Sequence, residues 1–474
     1  MIGKINNKLG VTTILSFFKK LIGSAKHIPN PDPEPEINQG KVYARSEHNI
    51  SRAQISDNAL KVLYRLQKAD FDAYLVGGCV RDLLLGREPK DFDVVTNADP
   101  EQVRKVFRNC RLIGRRFRLA HVHFGREVIE VATFRGAAEA NNDKQMLNDD
   151  GRLLRDNVYG SIEEDVWRRD FTVNALYYNI KDFSVVDYVG GMADHKAGLI
   201  RLIGDPETRF REDPVRMLRA VRFAVKLGFV LHPECEQAMH KVAGLLSNIP
   251  SARLYDEALK LFLFGYALQN FEMLRHYGLF KVLFPATDDS LAVEEEGFPR
   301  LLLVKALRNS DLRIAEGKTI TAYFLFAAFL WEPVLMRAQA NLAKGMVESI
   351  AYQEAANDVI GMQLKSTAFP KHITQSMREV WSLQPKFNTR VGSKPSRLIG
   401  HPRFRAAYDF LLLRSETGGA DPELAEWWAK YQVADETEQR KMTQPPRKPG
   451  QKKPARKRTY RKKATAAEPT LPQE

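Results

Sequence analysis

The sequence predicts an α+β protein: a small mixed α/β head, an all-α region after it, and a disordered basic tail. Three observations carry this. Between residues 52 and 190, short β-type runs alternate with helical ones. From DPVRMLRAVRFAVKLG at Asp213 onward, strand signals nearly vanish and helical periodicity dominates to about residue 432. Beyond it comes a low-complexity stretch with twelve Lys or Arg and no acid between Arg440 and Lys463.

Charge is divided in the same way. Of the net +14, +10 lies from Arg440 onward, so the rest of the chain is nearly balanced. A 44% hydrophobic and 27% charged composition is that of a soluble protein with room for several cores in 474 residues. The three cysteines are widely separated, which excludes a disulfide framework and fits a reducing compartment. No CxxC or HExxH pairing is present, which argues against structural zinc.

In chain order, Val11, Ile14, Leu15, Phe18, Leu21 and Ile22 fall at helical spacing among Lys8, Lys19, Lys20 and Lys26. This predicts an amphipathic helix over 11–22 for an anionic membrane surface, with a disordered or partner-docking leader as the equal alternative. The expected location is cytoplasmic, with peripheral contact to the inner membrane through that helix. NPDPEPE, 30–36, is an extended linker. ISDNALKVLYRLQKAD is a helix capped by Ser56 or Asp57, AYLVGG a strand entering a turn, and CVRDLLLG a helix closed by Gly86. DFDVVT is a strand, and DPEQVRKVF a helix with Asp99, Pro100 and Gln102 forming its start. CRLIG, LAHVHFG and EVIEVATF are β-type, and AEANNDKQMLNDDG is a polar loop. SIEEDVWRRDFTVNALYYN is helix-like, followed by short strands around VVDYVGG.

The chemistry concentrates in VGGCVRDLLLGREPKDFDVV, 76–95. Gly77 and Gly78 lie between a strand and a helix, where backbone N–H groups can approach a phosphate unobstructed. Arg81, one turn on, adds a phosphate-binding fork. Asp91 and Asp93, at i and i+2 on a strand, leave the same face, and their repulsion is relieved by a cation such as Mg²⁺. A bare DxD is more often a solvated strand end; the glycines, the Arg and the strand context reverse that. His121 and His123 alternate on one strand face and read as packing or polar-network residues.

VGGCVRDLLLG with DFDVV, RRDFTVNAL and REDPVRMLRAVRFA resembles the bacterial class II nucleotidyltransferases, which comprise the tRNA CCA-adding enzymes and the bacterial poly(A) polymerases. The resemblance covers roughly residues 71 to 230. It implies a polymerase-β-like head over 52–190, a base-reading neck over 191–262, an RNA-holding body over 263–432, and the tail over 433–474 behind the leader of 1–51. It implies that Asp91 and Asp93 hold two Mg²⁺ ions, with Mn²⁺ as a substitute. Arg169 would contact the nucleotide phosphates, and either Asp170 or Glu130 would be the third catalytic carboxylate. Glu212, Asp213 and Arg216 would read the base, with Arg219 on the same helix face as Arg216. An Asp acceptor with an Arg donor satisfies adenine and cytosine alike, so this pattern does not separate the two nucleotides.

CRLIGRRFRLAHVHFG resembles a segment that sets the poly(A) polymerases apart, and HPRFRAAYDFLLLR also resembles their body. Arg115, Arg116 and Arg118 form a basic cluster suited to RNA or nucleotide phosphate. Lys452, Lys453, Arg456, Lys457, Arg458, Arg461, Lys462 and Lys463 make the tail a polycation that holds RNA without sequence preference. The expectation is therefore template-independent addition of AMP from ATP to RNA 3′ ends by two-metal nucleotidyl transfer, promoting RNA turnover. CCA addition is the runner-up, and an inactive nucleotidyltransferase serving as an RNA-binding adaptor is the third reading. Expected partners are RNA 3′ ends and ATP, with RNA-decay or RNA-chaperone proteins in addition; the chain is expected to be a monomer.

Overall fold

A computed structural model describes residues 40–114, 118–136, 145–147, 153–156, 158–292 and 301–444. The 11–22 helix, the 30–36 linker, Arg115, Arg116 and the basic tail lie outside the described residues.

The first element, β1 (Lys41–Tyr43), falls in what the sequence reads as leader. The Asp57–Lys68 helix begins as expected, with the Ser56 hydroxyl accepting the Asn58 and Ala59 N–H groups. It buries Ala59, Leu60, Val62, Leu63 and Leu66 against the sheet. Then come β2 (Ala73–Val76), the Gly78–Leu84 helix, β3 (Asp93–Thr96) and the Pro100–Val106 helix. Asp99 and Gln102 close the last of these as a reciprocal capping box. Strands β4 (Cys110–Ile113), β5 (Leu119–Phe124) and β6 (Glu127–Thr133) form a meander.

Two local expectations are corrected. The polar stretch read as loop contains strand β7 (Gln145–Leu147), which pairs antiparallel with β8 (Leu153–Asp156) just beyond it. The helix expected through residue 179 stops at Trp167, and Leu176–Asn179 is strand β9. Tyr177 and Tyr178 project to opposite faces and both are buried, which a strand in mid-sheet permits and a surface helix does not. Strand β10 (Val185–Asp187) completes the sheet, whose order is β1-β10-β9-β2-β3-β6-β5-β4. Every pair is antiparallel except β3 with β6.

After the Gly191–Ala197 and Pro206–Glu212 helices comes the Val215–Leu227 helix, closed by Gly228 at φ +74°. Short β11 (Leu199–Ile200) and β12 (Val230–Leu231) pair in parallel at its flank. From Pro233 to Met442 the described chain is helical, in line with the all-α expectation. The chain forms two compact units, which divide between Ser382 and Leu383. The Arg219–Asp170 ion pair ties the Val215–Leu227 helix to the sheet domain. The second unit has its own aromatic core around Phe387, Phe404, Tyr408, Trp428 and Tyr431.

Candidate active site

Strand pairing lays one row of residues across the sheet. Val76 faces Asp93, Asp93 faces Glu130 across the parallel pair, and Glu130 faces His121. The row's Val76 end runs directly into the Gly77–Gly78 turn, so the carboxylates stand beside the turn that begins the helix. Asp91 lies in the bend before β3, not within the strand, yet alternation survives. Phe92 is buried in the core, while Asp91 is exposed and Asp93 partly so on the other side. His121 Nε2 stands 3.3 Å from Glu130 Oε2, a polar network as its pattern indicates.

The electrostatics show what this row lacks. Burial pushes the Asp93 carboxyl up to about 6, with Glu130 and Asp91 adding to the rise and Arg169 opposing it. Such under-neutralised oxygen donors fit a hard divalent cation. Among the described residues no three His, Cys, Asp or Glu side chains converge to cage an ion by themselves.

Gly77 has φ +77° and ψ −132°, a region that side chains disfavour, and this turns the chain from β2 into the helix. A Cβ at Gly77 would come 3.9 Å from Arg169 Nη1, so that edge of the guanidinium faces the turn. The rest of Arg169 is held: Nε and Nη2 donate to Asp165 at 3.0 and 2.8 Å, and Nε to the Tyr177 hydroxyl at 2.8 Å. Asp165, four residues earlier, sits one helical turn away, a spacing visible in the sequence though not singled out there.

Arg81 is placed differently from the expected open fork. Only 2% exposed, it gives Nε and Nη2 to Asp82 and Nη1 to Asn174 at 2.7 Å. The third-carboxylate candidates also diverge in placement. Glu130 is beside Asp93. Asp170 is partly buried and takes two hydrogen bonds from Arg219, at 2.8 and 2.5 Å, one from Asn174 and one from the Phe171 N–H. Burial alone would raise the Asp170 carboxyl; the Arg219 guanidinium and these donors outweigh it and hold it low.

At the start of the Val215–Leu227 helix, Arg216 Nη1 bonds Glu212 at 2.8 Å and the Arg209 carbonyl at 2.7 Å. Asp213 accepts from the Val215 N–H and from Arg253 Nη2 at 2.7 Å. Arg253 and Asn174 escaped the sequence reading, Arg253 because its partner is 40 residues away. Arg118 lies near Glu101, at 3.5 Å.

Comparisons with known proteins place the chain in a family. Residues 73–201 match the "Poly A polymerase head domain" family, 228–291 the "Probable RNA and SrmB- binding site of polymerase A", and 344–463 the "Polymerase A arginine-rich C-terminus". The chain is 51% identical over 410 residues to Poly(A) polymerase I of Escherichia coli O6:H1, covering 85% of this chain and 88% of that protein. It is 48% identical to Poly(A) polymerase I of Haemophilus influenzae, with 85% and 90% covered. A CCA-adding enzyme of Lactobacillus helveticus is 39% identical over 45% of this chain and 52% of its own. The solved tRNA-processing enzyme (apo form I) shares the fold, with a TM-score of 0.56 at 22% identity over 82% of this chain and 99% of its own. The class that fold and site define is the nucleotidyltransferases. Within it, the chain belongs to the poly(A) polymerase family.

Proposed function

We propose that this chain adds AMP from ATP to RNA 3′ ends and releases pyrophosphate. The observation that carries the reading is the Asp93–Glu130 register beside the Gly77–Gly78 turn, in a chain whose poly(A) polymerase relatives match along most of its length. CCA-adding relatives match no more than about half of it.

Asp91 and Asp93, with Glu130 beside them, would hold Mg²⁺. When bound, the ion neutralises charge on the α-phosphate and pyrophosphate and acidifies the attacking 3′-hydroxyl. The Gly77–Gly78 backbone and the Arg169 edge facing it receive the triphosphate and offset charge migrating to pyrophosphate. Asp213 and Arg216 present an acceptor and a donor to the base edge. Glu130, not the saturated Asp170, is the third carboxylate in this reading. Asp170, Arg219 and Arg81 act by positioning. The 52–190 segment is the head, 191–262 the neck and 263–432 the body, with 11–22 a surface-seeking leader. Arg115, Arg116, Arg118 and the tail cations hold RNA non-specifically. Cys79, Cys110 and Cys235 are all free, as a reducing compartment allows. No described helix is long and apolar enough to cross a membrane.

Primer extension with Mg²⁺ tests the activity, using an unstructured RNA and a tRNA lacking its CCA end, with ATP, CTP or both. ATP-only ladders on the unstructured RNA are expected. Addition confined to the tRNA and requiring CTP would establish CCA addition instead.

A further inference from the structure

The row across the sheet continues past its carboxylates. Glu130 on β6 faces His121 on β5 across an antiparallel pair, and His121 Nε2 stands 3.3 Å from Glu130 Oε2. An ionised carboxylate only accepts, so Nε2 carries the hydrogen and donates it.

Glu130 is the carboxylate in this row that needs holding. Its side chain is long, rotatable and 43% exposed, and it faces Asp93, whose like charge drives it outward. Left to itself it would turn into solvent, where it keeps its rotamer freedom and its hydration. A cation entering beside Asp93 would then have to recover the side chain before using it.

His121 is well placed to prevent that. Strand β5 is paired on both sides, by β4 and β6, and the His121 side chain is 24% exposed, less than that of Glu130. The His123 ring, on the same strand face, meets it edge to face with ring centroids 6.3 Å apart. The His123 backbone is tied in turn, accepting from the Asn109 amide at 2.6 Å and donating to the Asn109 carbonyl at 3.1 Å. A donor on a rigid strand is thus aimed at a flexible acceptor.

We propose that His121 is a positioning residue that holds the Glu130 carboxylate toward Asp93, so that a divalent cation finds both side chains in place. The bond engages Oε2 and leaves Oε1 for the ion. The inference rests on the nucleotidyl-transfer reading above and adds to it the group that orients its third carboxylate. Partners that orient a metal's ligands are worth roughly 10–100-fold in metal affinity or activity.

The test compares the full-length chain with His121→Phe, His121→Gln, Glu130→Ala and the His121→Phe, Glu130→Ala double variant. Phe keeps a flat ring beside His123 and loses the donor; Gln puts an amide N–H close to where Nε2 stands. Mn²⁺ alone is titrated into each nucleotide-free protein and followed by EPR. The kcat and the KM for ATP are measured with Mg²⁺ on an unstructured RNA primer. His121→Phe should weaken Mn²⁺ binding roughly tenfold and lower kcat by a similar factor, with the ATP KM little changed. His121→Gln should recover most of both. In the Glu130→Ala background His121→Phe should change neither, since the carboxylate it holds is gone.

A merely structural role would lower Tm and the active fraction, leave the Mn²⁺ Kd unmoved, and act as strongly without Glu130 as with it. Any one of three results would overturn the proposal: an unmoved Mn²⁺ Kd in His121→Phe, no recovery in His121→Gln, or an undiminished effect in the Glu130→Ala background. If His121→Phe does not fold, His121→Asn replaces it, because its amide nitrogen stands near the Nδ1 position and falls short of Glu130. An unaltered chain that incorporates no nucleotide, yet loses Mn²⁺ affinity on His121→Phe, overturns the activity and supports the positioning. An active chain whose Mn²⁺ Kd and kcat ignore His121 overturns the positioning alone.

Discussion

Asp93 carries a tension between stability and function that can be measured. Its folded carboxyl is raised from about 3.8 to about 6, so the folded protein holds that proton more tightly than the unfolded chain. The sign follows: its contribution is intact below about 4, declines as pH rises through 6, and is lost at neutral pH. In EDTA at pH 8, Asp93→Asn should therefore melt a few degrees above the unaltered chain while losing nucleotide incorporation. The Tm difference should vanish below pH 4 and shrink when Mg²⁺ is restored to the unaltered chain. Equal melting at pH 8 would show that Asp93 is not under-neutralised. Glu130 and Asp170 should separate in the opposite sense. Glu130→Gln should cut kcat by about a hundredfold or more with little change in Tm, because its side chain is well exposed. Asp170→Asn leaves Arg219 without its counter-charge and should cost about 1.5–3 kcal/mol in a urea titration, the range for hydrogen bonds to a charged group in a pair that is only partly buried.

At the scale of elements, the turn between β2 and the Gly78–Leu84 helix separates two glycines that look equivalent in the sequence. Gly77 sits at positive φ, so Gly77→Ala should cost about 1–3 kcal/mol and displace the turn's backbone amides, which the proposed function gives to the triphosphate. Gly78 is helical, and a Cβ there meets Arg81 Nη2 at 3.6 Å, ordinary van der Waals distance. Gly78→Ala should fold with unchanged Tm, and the ATP KM should rise more for Gly77→Ala; the reverse order would mislocate the turn. Much at this scale was legible: the Ser56 and Asp99 caps, Gly86 and Gly228 as terminators, and the β6 alternation are local rules. What escaped was set by distant partners. Leu176–Asn179 is a strand because β2 and β10 pair with it. Asp170 looked like a free carboxylate because its partner Arg219 lies 49 residues on, and Arg81 looked like a phosphate fork because Asn174 lies 93 residues on. The DxD itself was readable, and so was Glu130 as one of two candidates; only the register chose between them as neighbours of Asp93.

On the scale of the whole molecule, the proposed function divides chemistry and RNA grip along the chain. The aspartates, the glycine turn and the proposed base reader all belong to the first 260 residues, whereas +10 of the net +14 lies from Arg440 onward. The nearly balanced remainder has little long-range pull on a polyanion, and twelve cations in one stretch have a great deal. Those two parts should respond differently to salt. Neutralising Lys452, Lys453, Arg456, Lys457, Arg458 and Arg461 to Gln should flatten the plot of log RNA affinity against log salt by roughly 0.7 for each phosphate left without its cation. Incorporation at saturating RNA should keep its kcat, since none of the six lies in the row from Val76 to His121. The primer KM should rise most at low salt, where the unaltered tail gains most, and the two proteins should converge as salt is raised. A fall in kcat at saturating RNA would instead mean that the tail acts on the chemical step, and the division of labour along the chain would have to be abandoned.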